Sequence, residues 1–325
     1  MRVFLTGGTG FIGGEVARLL RERGDEVLAL VRTPSKAGGL AAMGCELIEG
    51  DLSDEAALRT AMSGVDAVVH GAAIYEIGVP ADRREALTDT NVRGTERVLG
   101  AALAAGVGRA VYVSTVAVFG NTRGEIADET WVRPPGLGFT SAYEQTKVQA
   151  HERAQEICGR GLPLVTVQPG VVYGPGDTSE VGSLFTRLLK GQLPLLPFPD
   201  LGVTPVHRDD VAAGILLALD KGDTGASYVL AGQPTRMKDV IGELARTAGK
   251  KPPRGSLPTA VIKGMAPFGR VVGPLLGFPP NMRELIASSD GVTFWARSDR
   301  AQGELGWSYR PLSEGLASVA AAASS

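Results

Sequence analysis

A short strand-like run, Arg2-Val3-Phe4-Leu5-Thr6, passes directly into Gly7-Gly8-Thr9-Gly10-Phe11-Ile12-Gly13-Gly14 and then into an apolar-periodic helix. Strand, glycine turn and helix N-terminus in this order predict a phosphate-binding corner. Gly7 can take the unusual dihedrals of the turn, Gly10 leaves room for a pyrophosphate, and Gly13 lets helix and strand pack closely. The open amides at Phe11 and Ile12, together with the positive end of the helix dipole, then face the phosphates.

Strand-like runs alternate with helical ones through the first half: Glu26–Val31, Cys45–Glu49, Ala67–His70, Ala110–Ser114 and Leu164–Val167, with amphipathic stretches such as Asp54–Met62 and Arg84–Ala105 between them. Such alternation means right-handed βαβ crossovers and a parallel sheet covered on both faces. The fold expected is therefore α/β, a Rossmann-type doubly wound parallel sheet. After Pro169 the texture changes. Pro and Gly become frequent over 170–205, a helix over Asp209–Leu219 and a strand over Ser227–Leu230 return to the sheet, and Gln233–Met282 reads as a helical region with few charges. The organisation expected is a nucleotide-binding core over residues 1–170 with a return segment at about 205–231. Residues 171–204 and 232–325 should form a smaller, mostly helical C-terminal substrate lobe, ending in a helix that frays over Ser318–Ser325.

The chain of 325 residues carries a net charge of -2 and no basic run or stripe. Neither a nucleic-acid nor an anionic-membrane partner is expected from that balance. Cys45 and Cys158 are far apart and lack metal-ligand spacing, and three unpaired histidines add no candidate metal site. No leader pattern is visible at the start and no apolar run reaches the ~20 residues of a membrane span, so a cytoplasmic location is the expectation.

Tyr143 and Lys147 lie one helical turn apart in Ser141-Ala142-Tyr143-Glu144-Gln145-Thr146-Lys147 and project from one face. An ammonium beside a phenol favours the phenolate, pulling its pKa toward neutrality so that the ring can give or take a proton. Cofactor choice should be written at the end of the second strand, where an acid would hold the ribose 2'-hydroxyl of NAD. The chain instead reads Leu30-Val31-Arg32-Thr33-Pro34-Ser35-Lys36. Arg32, supplemented by Lys36, can pair with a 2'-phosphate, which favours NADP(H) over NAD(H).

Thr6-Gly7-x-x-Gly10-x-x-Gly13, Asp51-Leu52, His70-Gly71-Ala72-Ala73, Ser114-Thr115, Tyr143-x-x-x-Lys147 and Pro169-x-x-Val172-Tyr173-Gly174-Pro175 succeed one another along the chain. In this order they resemble the extended short-chain dehydrogenases/reductases, the epimerase/dehydratase superfamily, over nearly the whole length. Val31-Arg32 makes the chain most similar to the dihydroflavonol-reductase-like branch. The resemblance implies that Asp51 and Leu52 contact the adenine, and that Gly71, Ala72, Ala73, Ser114, Pro169 and Val172 line the cofactor. It assigns to Thr115 a hydrogen bond to the substrate carbonyl and to Lys147 a second bond, to the nicotinamide ribose. Asn91 matches a family asparagine near the site, although helix packing or capping would place it equally well. His70 and His207 read as structural, and His151 as exposed.

The function implied is that of an NADP(H)-dependent oxidoreductase interconverting a carbonyl and a secondary alcohol on a small, fairly apolar substrate, with Tyr143 as general acid/base. A nucleotide-sugar epimerase using the same tyrosine, lysine and threonine is the alternative. A 4,6-dehydratase would carry Asp-Glu after the threonine, where this chain has Val116-Ala117, and a noncatalytic NADP-sensing regulator would not need the intact Tyr143 and Lys147. Two long sheet-flanking helices offer a surface for a homodimer.

Overall fold

Val3 and Leu5 pack to one side of their strand and Phe4 to the other, and all three are fully enclosed. A strand buried in this way needs a layer on each face. The computed structural model describes residues 1–323, without the side chains of Val272, Pro274, Leu275 and Leu276. Those four side chains of the expected substrate lobe, and Ser324 and Ser325 of the expected tail, lie outside the described residues.

The first half runs β1 (Arg2–Thr6), α1 (Phe11–Glu22), β2 (Glu26–Val31), α2 (Gly38–Ala42), β3 (Glu46–Glu49), α3 (Glu55–Ala61), β4 (Ala67–His70), α4 (Arg84–Thr88), α5 (Gly94–Ala104), β5 (Arg109–Val113), α6 (Ala142–Gly159) and β6 (Leu164–Pro169). It continues through β7 (Val171–Tyr173), α7 (Glu180–Leu189), β8 (Leu196–Pro197), β9 (Gly202–Val203), β10 (Pro205–His207), α8 (Arg208–Lys221) and β11 (Ser227–Leu230). The remainder is β12 (Thr235–Arg236), α9 (Met237–Thr247), β13 (Ser256–Leu257), α10 (Thr259–Met265), α11 (Gly269–Leu276), α12 (Met282–Ser289) and α13 (Leu312–Ala322). Seven parallel strands form the central sheet in the order β3-β2-β1-β4-β5-β6-β11. The order reverses direction between β1 and β4, which opens a crevice at the carboxyl ends of those strands.

One apolar layer joins α1 and α8 to the sheet through Val16, Leu20, Val211 and Ile215, and it includes Ala301, Leu305 and Trp307 from late in the chain. The other joins α3, α5 and α6 through Leu58, Val98, Leu99, Ala150 and Ile157. A third cluster gathers α7, α9 and α13 around Phe185, Leu188, Ile241, Leu244 and Leu316, and a smaller one surrounds Phe198, Ile262 and Met282. Phe268 and Val271 are 67% and 70% exposed.

The helix expected over Arg84–Ala105 is interrupted. Between α4 and α5 lies a π-helical turn, Asp89–Arg93, in which Asn91 and Val92 are buried. Among the described residues no helix is long and apolar enough to cross a membrane.

Candidate active site

The turn after β1 is pressed against the turn after β4. Gly7 has φ +80°, and a Cβ there would stand 2.7 Å from the Ala72 nitrogen. At Gly13 a Cβ would stand 2.1 Å from the Gly7 oxygen, so this glycine admits the turn's own backbone onto the first turn of α1. Gly10 precedes that helix without a side-chain cap, and no acid occupies its first turn. The leading amides, at Phe11 and Ile12, are therefore left for an anion.

The remaining cofactor candidates sit where the sheet order requires, just beyond successive strand ends. Arg32 and Lys36 follow β2 and are exposed, and among the described residues neither makes an ion pair or a side-chain hydrogen bond. Asp51 follows β3, where its Oδ1 accepts from the Ser53 nitrogen and hydroxyl at 3.0 Å each. That is a turn-forming role, and it leaves Oδ2 for a ligand. Leu52 packs on α5 so closely that a Cβ at Gly94 would lie 2.9 Å from its Cδ1. Gly71, Ala72 and Ala73 follow β4, with the Gly71 nitrogen donating to the Thr6 oxygen at 3.2 Å. Pro169 ends β6 and Val172 lies in β7. An uncapped helix start, a backbone too crowded for side chains and unpaired cations at the ribose position together fit a dinucleotide.

Ser141 caps α6, its hydroxyl accepting from the Glu144 nitrogen at 3.0 Å. Glu144 in turn accepts from the Thr140 nitrogen at 2.8 Å and pairs with Arg133 at 2.7 Å. This fixed start aims Tyr143 and Lys147 inward. The Thr115 hydroxyl bonds to that of Tyr143, while burial, the larger effect, holds the phenol above its ordinary pKa. Thr115 itself begins the turn after β5, accepting from the Ala117 nitrogen at 3.2 Å.

Lys147 corrects one expectation. Its Nζ donates to the Val113 oxygen at 3.0 Å and to the Tyr112 hydroxyl at 3.3 Å, and among the described residues it makes no hydrogen bond to the Tyr143 phenol. Burial lowers the lysine pKa to about 7, and the Tyr143 phenol is raised rather than drawn toward neutrality. In this arrangement it is the lysine that is poised to exchange a proton near pH 7.

His151 is the second correction. Expected to be exposed, it is part-buried on α6, with Nδ1 3.1 Å from the Ser114 hydroxyl. Burial, aided by the charge of Lys147, lowers its pKa to about 4. His70 is fully buried between the Thr6 hydroxyl at 2.7 Å and the Thr95 hydroxyl at 3.0 Å, its pKa lowered to about 3. His207 ends β10 and caps α8, its Nδ1 accepting from the Asp209 nitrogen, while its Nε2 lies 3.1 Å from the Ser318 hydroxyl. Both act as neutral structural links.

Asn91 is a clamp. Its Oδ1 accepts from the Ile74 nitrogen at 2.7 Å, and its Nδ2 donates to the Ile74 oxygen at 3.0 Å and to the Thr146 hydroxyl at 3.1 Å. The segment so held presents Tyr75, whose ring meets that of Tyr143 edge to face with centroids 4.8 Å apart. Tyr75 as a residue is 50% exposed, yet its hydroxyl end is enclosed against Glu180. Further along, the Ile77 nitrogen donates to Glu180 at 3.4 Å and the Gly78 nitrogen to Glu284 at 3.3 Å. Glu284, buried in α12, also accepts from the Ala142 nitrogen at 3.0 Å. Sequence reasoning missed Tyr75, Glu180 and Glu284. No local pattern marks them, because their partners lie far away in the chain.

The chain is similar to known proteins over most of its length. The model of the NAD dependent epimerase/dehydratase family matches residues 3–231. A Synechocystis sp. protein, named provisionally as a dihydroflavonol 4-reductase, is 34% identical over 282 residues, 82% of this chain and 80% of its own. A Stigmatella aurantiaca protein, 4-hydroxy-2-methyl-3-oxo-4-farnesyl-3,4-dihydroquinoline-1-oxide ketoreductase, is 31% identical over 316 residues, 95% of this chain and 92% of its own. The crystal structure of gox2253 superposes with a TM-score of 0.83 at 33% identity, covering 98% of this chain and 97% of that one.

Proposed function

The chain belongs to the NAD-dependent epimerase/dehydratase family, within the extended short-chain dehydrogenases/reductases, and on that footing we propose that it is an NADP(H)-dependent oxidoreductase interconverting a carbonyl and a secondary alcohol. The substrate is small and fairly apolar, and Tyr143 is the general acid/base. The observation that carries this reading is the meeting of the Tyr143 and Thr115 hydroxyls beside the crevice at the carboxyl edge of the sheet. Relatives named as ketoreductases and reductases support a net redox reaction.

When bound, the nicotinamide supplies or accepts the hydride. The protein's share is charge and position. Tyr143 and Thr115 direct two hydroxyl donors at one point, where they stabilise the negative charge that grows on a carbonyl oxygen undergoing reduction. Tyr143 then delivers its proton to that oxygen, and a pKa held above the ordinary phenol value keeps the proton in place until the oxygen becomes more basic than the phenol. Lys147, with a pKa of about 7, is the buried group of the site that takes up and releases a proton near neutrality. Arg32 and Lys36 supply the cationic side of a 2'-phosphate site, and the uncapped amides of α1 receive the pyrophosphate. The Tyr75 ring packs edge to face against that of Tyr143 and limits how the phenol can move.

The test is to follow NADPH absorbance against a panel of aldehydes, ketones, steroids and nucleotide sugars. Consumption with an apolar ketone, lost in Tyr143→Phe, is the expected result. Isomerisation of a UDP-sugar without net NADPH consumption would assign the chain to the epimerases instead.

A further inference from the structure

We propose that His151 carries protons between solvent and Lys147, by way of Ser114 and Tyr112, and so keeps the site around Tyr143 supplied with protons at each turnover. The proposal rests on the oxidoreductase reading above. Reduction of a carbonyl by a hydride consumes one proton, and Tyr143 lies at the inner end of a crevice that substrate and cofactor fill. The proton needs another entrance.

A connected path leads from Lys147 to His151, one turn further along α6. Lys147 Nζ lies 3.3 Å from the Tyr112 hydroxyl. The Thr95 and Ser114 hydroxyls face that phenol, whose pKa burial raises and they lower. The Ser114 hydroxyl lies 3.1 Å from His151 Nδ1. His151 lines a surface-open cavity of about 210 Å³, together with Val118, Glu129, Trp131, Val148 and Gln168. That space is large enough for several waters. Gln168 contributes a buried Oε1 that has no protein partner among the described residues, a ready acceptor for one of them.

Every group on this path can both accept and donate a proton. The branch through Thr95 cannot serve, because it ends at His70, whose nitrogens are both taken by buried hydroxyls. The Val113 oxygen beside Lys147 is a carbonyl with no proton to give. In the direction of reduction, water in the cavity protonates His151 Nε2, and Nδ1 releases its proton to the Ser114 oxygen. The Ser114 proton moves to the Tyr112 oxygen, and the Tyr112 proton to the neutral amine of Lys147. One proton leaves solvent and one arrives at Lys147, with no change in electrons. Alcohol oxidation runs the same path in reverse. His151 is neutral at pH 7 and Lys147 titrates near it, so neither group holds a proton too tightly to pass it on.

His151→Gln keeps an amide able to bond Ser114 but cannot relay a proton. We expect kcat for carbonyl reduction to fall by about 10-fold or more, with the KM for NADPH unchanged and a larger solvent deuterium isotope effect on kcat. In His151→Ala, added imidazole should enter the vacated space and restore part of the rate. Tyr112→Phe breaks the path on the inner side, so it should show the enlarged isotope effect but no imidazole rescue. Folded His151 variants with wild-type kcat and isotope effect would overturn the relay. A fall in kcat with an unchanged isotope effect and no rescue would overturn it too, assigning His151 to packing. Wild-type protein that isomerises a nucleotide sugar without consuming NADPH defeats the oxidoreductase reading, and the relay with it, since an internal return of hydride draws no proton from solvent.

Discussion

The amide of Ala142 donates to the carboxylate of Glu284 at 3.0 Å, joining the first residue of the helix that bears Tyr143 to α12, 142 residues further along the chain. The same carboxylate oxygen accepts from Gly78, and Arg84 and Asn281 approach the other at 3.5 and 3.0 Å. A negative group at a helix start also opposes the positive end of the helix dipole. Glu284→Ala leaves two buried amides without an acceptor, which costs about 1–3 kcal/mol for each. Glu284→Gln retains an acceptor oxygen and should lose less than half as much. Urea denaturation of the three proteins measures the difference, and kcat should fall in the same order, because the start of α6 aims Tyr143.

Tyr143→Phe should lower kcat by about 10²–10⁴-fold, the usual worth of a positioned general acid. NADPH affinity by titration calorimetry should stay within about 3-fold of wild type, because the proposed function has the turn from Gly7 to Gly13 hold the phosphates without the phenol. Loss of both together would indicate that the ring organises the cofactor site.

Arg32→Asp should reverse the cofactor preference. An ion-assisted hydrogen bond contributes about 1.5–3 kcal/mol, so NADPH should bind about 10- to 100-fold more weakly. The new carboxylate can accept from the 2'-hydroxyl of NADH instead. Equal affinity of the wild type for NADH and NADPH would remove Arg32 from the cofactor site.

Lys147 should impose a signed pH dependence on stability. Its pKa is lowered from 10.5 in the unfolded chain to about 7 in the fold. Between those values the unfolded state binds the extra proton, so this residue's contribution to folding stability rises with pH. Below about pH 7 both states are protonated, and the fold bears the full penalty of a buried ammonium. Lys147→Met should therefore raise the Tm of the cofactor-free protein at pH 6, and the advantage should shrink by pH 9. Thermal scans at the two pH values decide it, while turnover should be lost in the variant at both.

The sheet was legible in the chain because its strands are buried on two faces and announce themselves as short apolar runs. β2, β4 and β11 lie where those runs place them, and the boundaries of β3, β5 and β6 move by a residue or two. The glycine turn was legible for a similar reason, since close backbone approach leaves a residue type behind. α6 resisted such reading. Its inward face carries Glu144, Thr146 and Lys147 as well as Ala150 and Ala154, so the buried side shows no apolar stripe, and His151 could not be placed. The break between α4 and α5 was not legible because the residue it adds comes with no glycine or proline among residues 84–93 to mark it. Glu180 and Glu284 face Tyr75 and Ala142 only after the sheet has brought distant segments together.

That added residue sets how the chain can vary in length. In the π-helical turn Asp89–Arg93, each missing or extra residue would rotate everything that follows in α5 by about 100° relative to α4. The turn is anchored at both ends: Asn91 grips Ile74 from one side, and Thr95, bonded to the Asn91 oxygen at 2.7 Å, holds His70 from the other. Most surface connections absorb small insertions and deletions with little consequence. Here a one-codon indel would swing both grips off their targets at once, so descendants of this chain are free to change the spelling of residues 89–95 far more readily than their number.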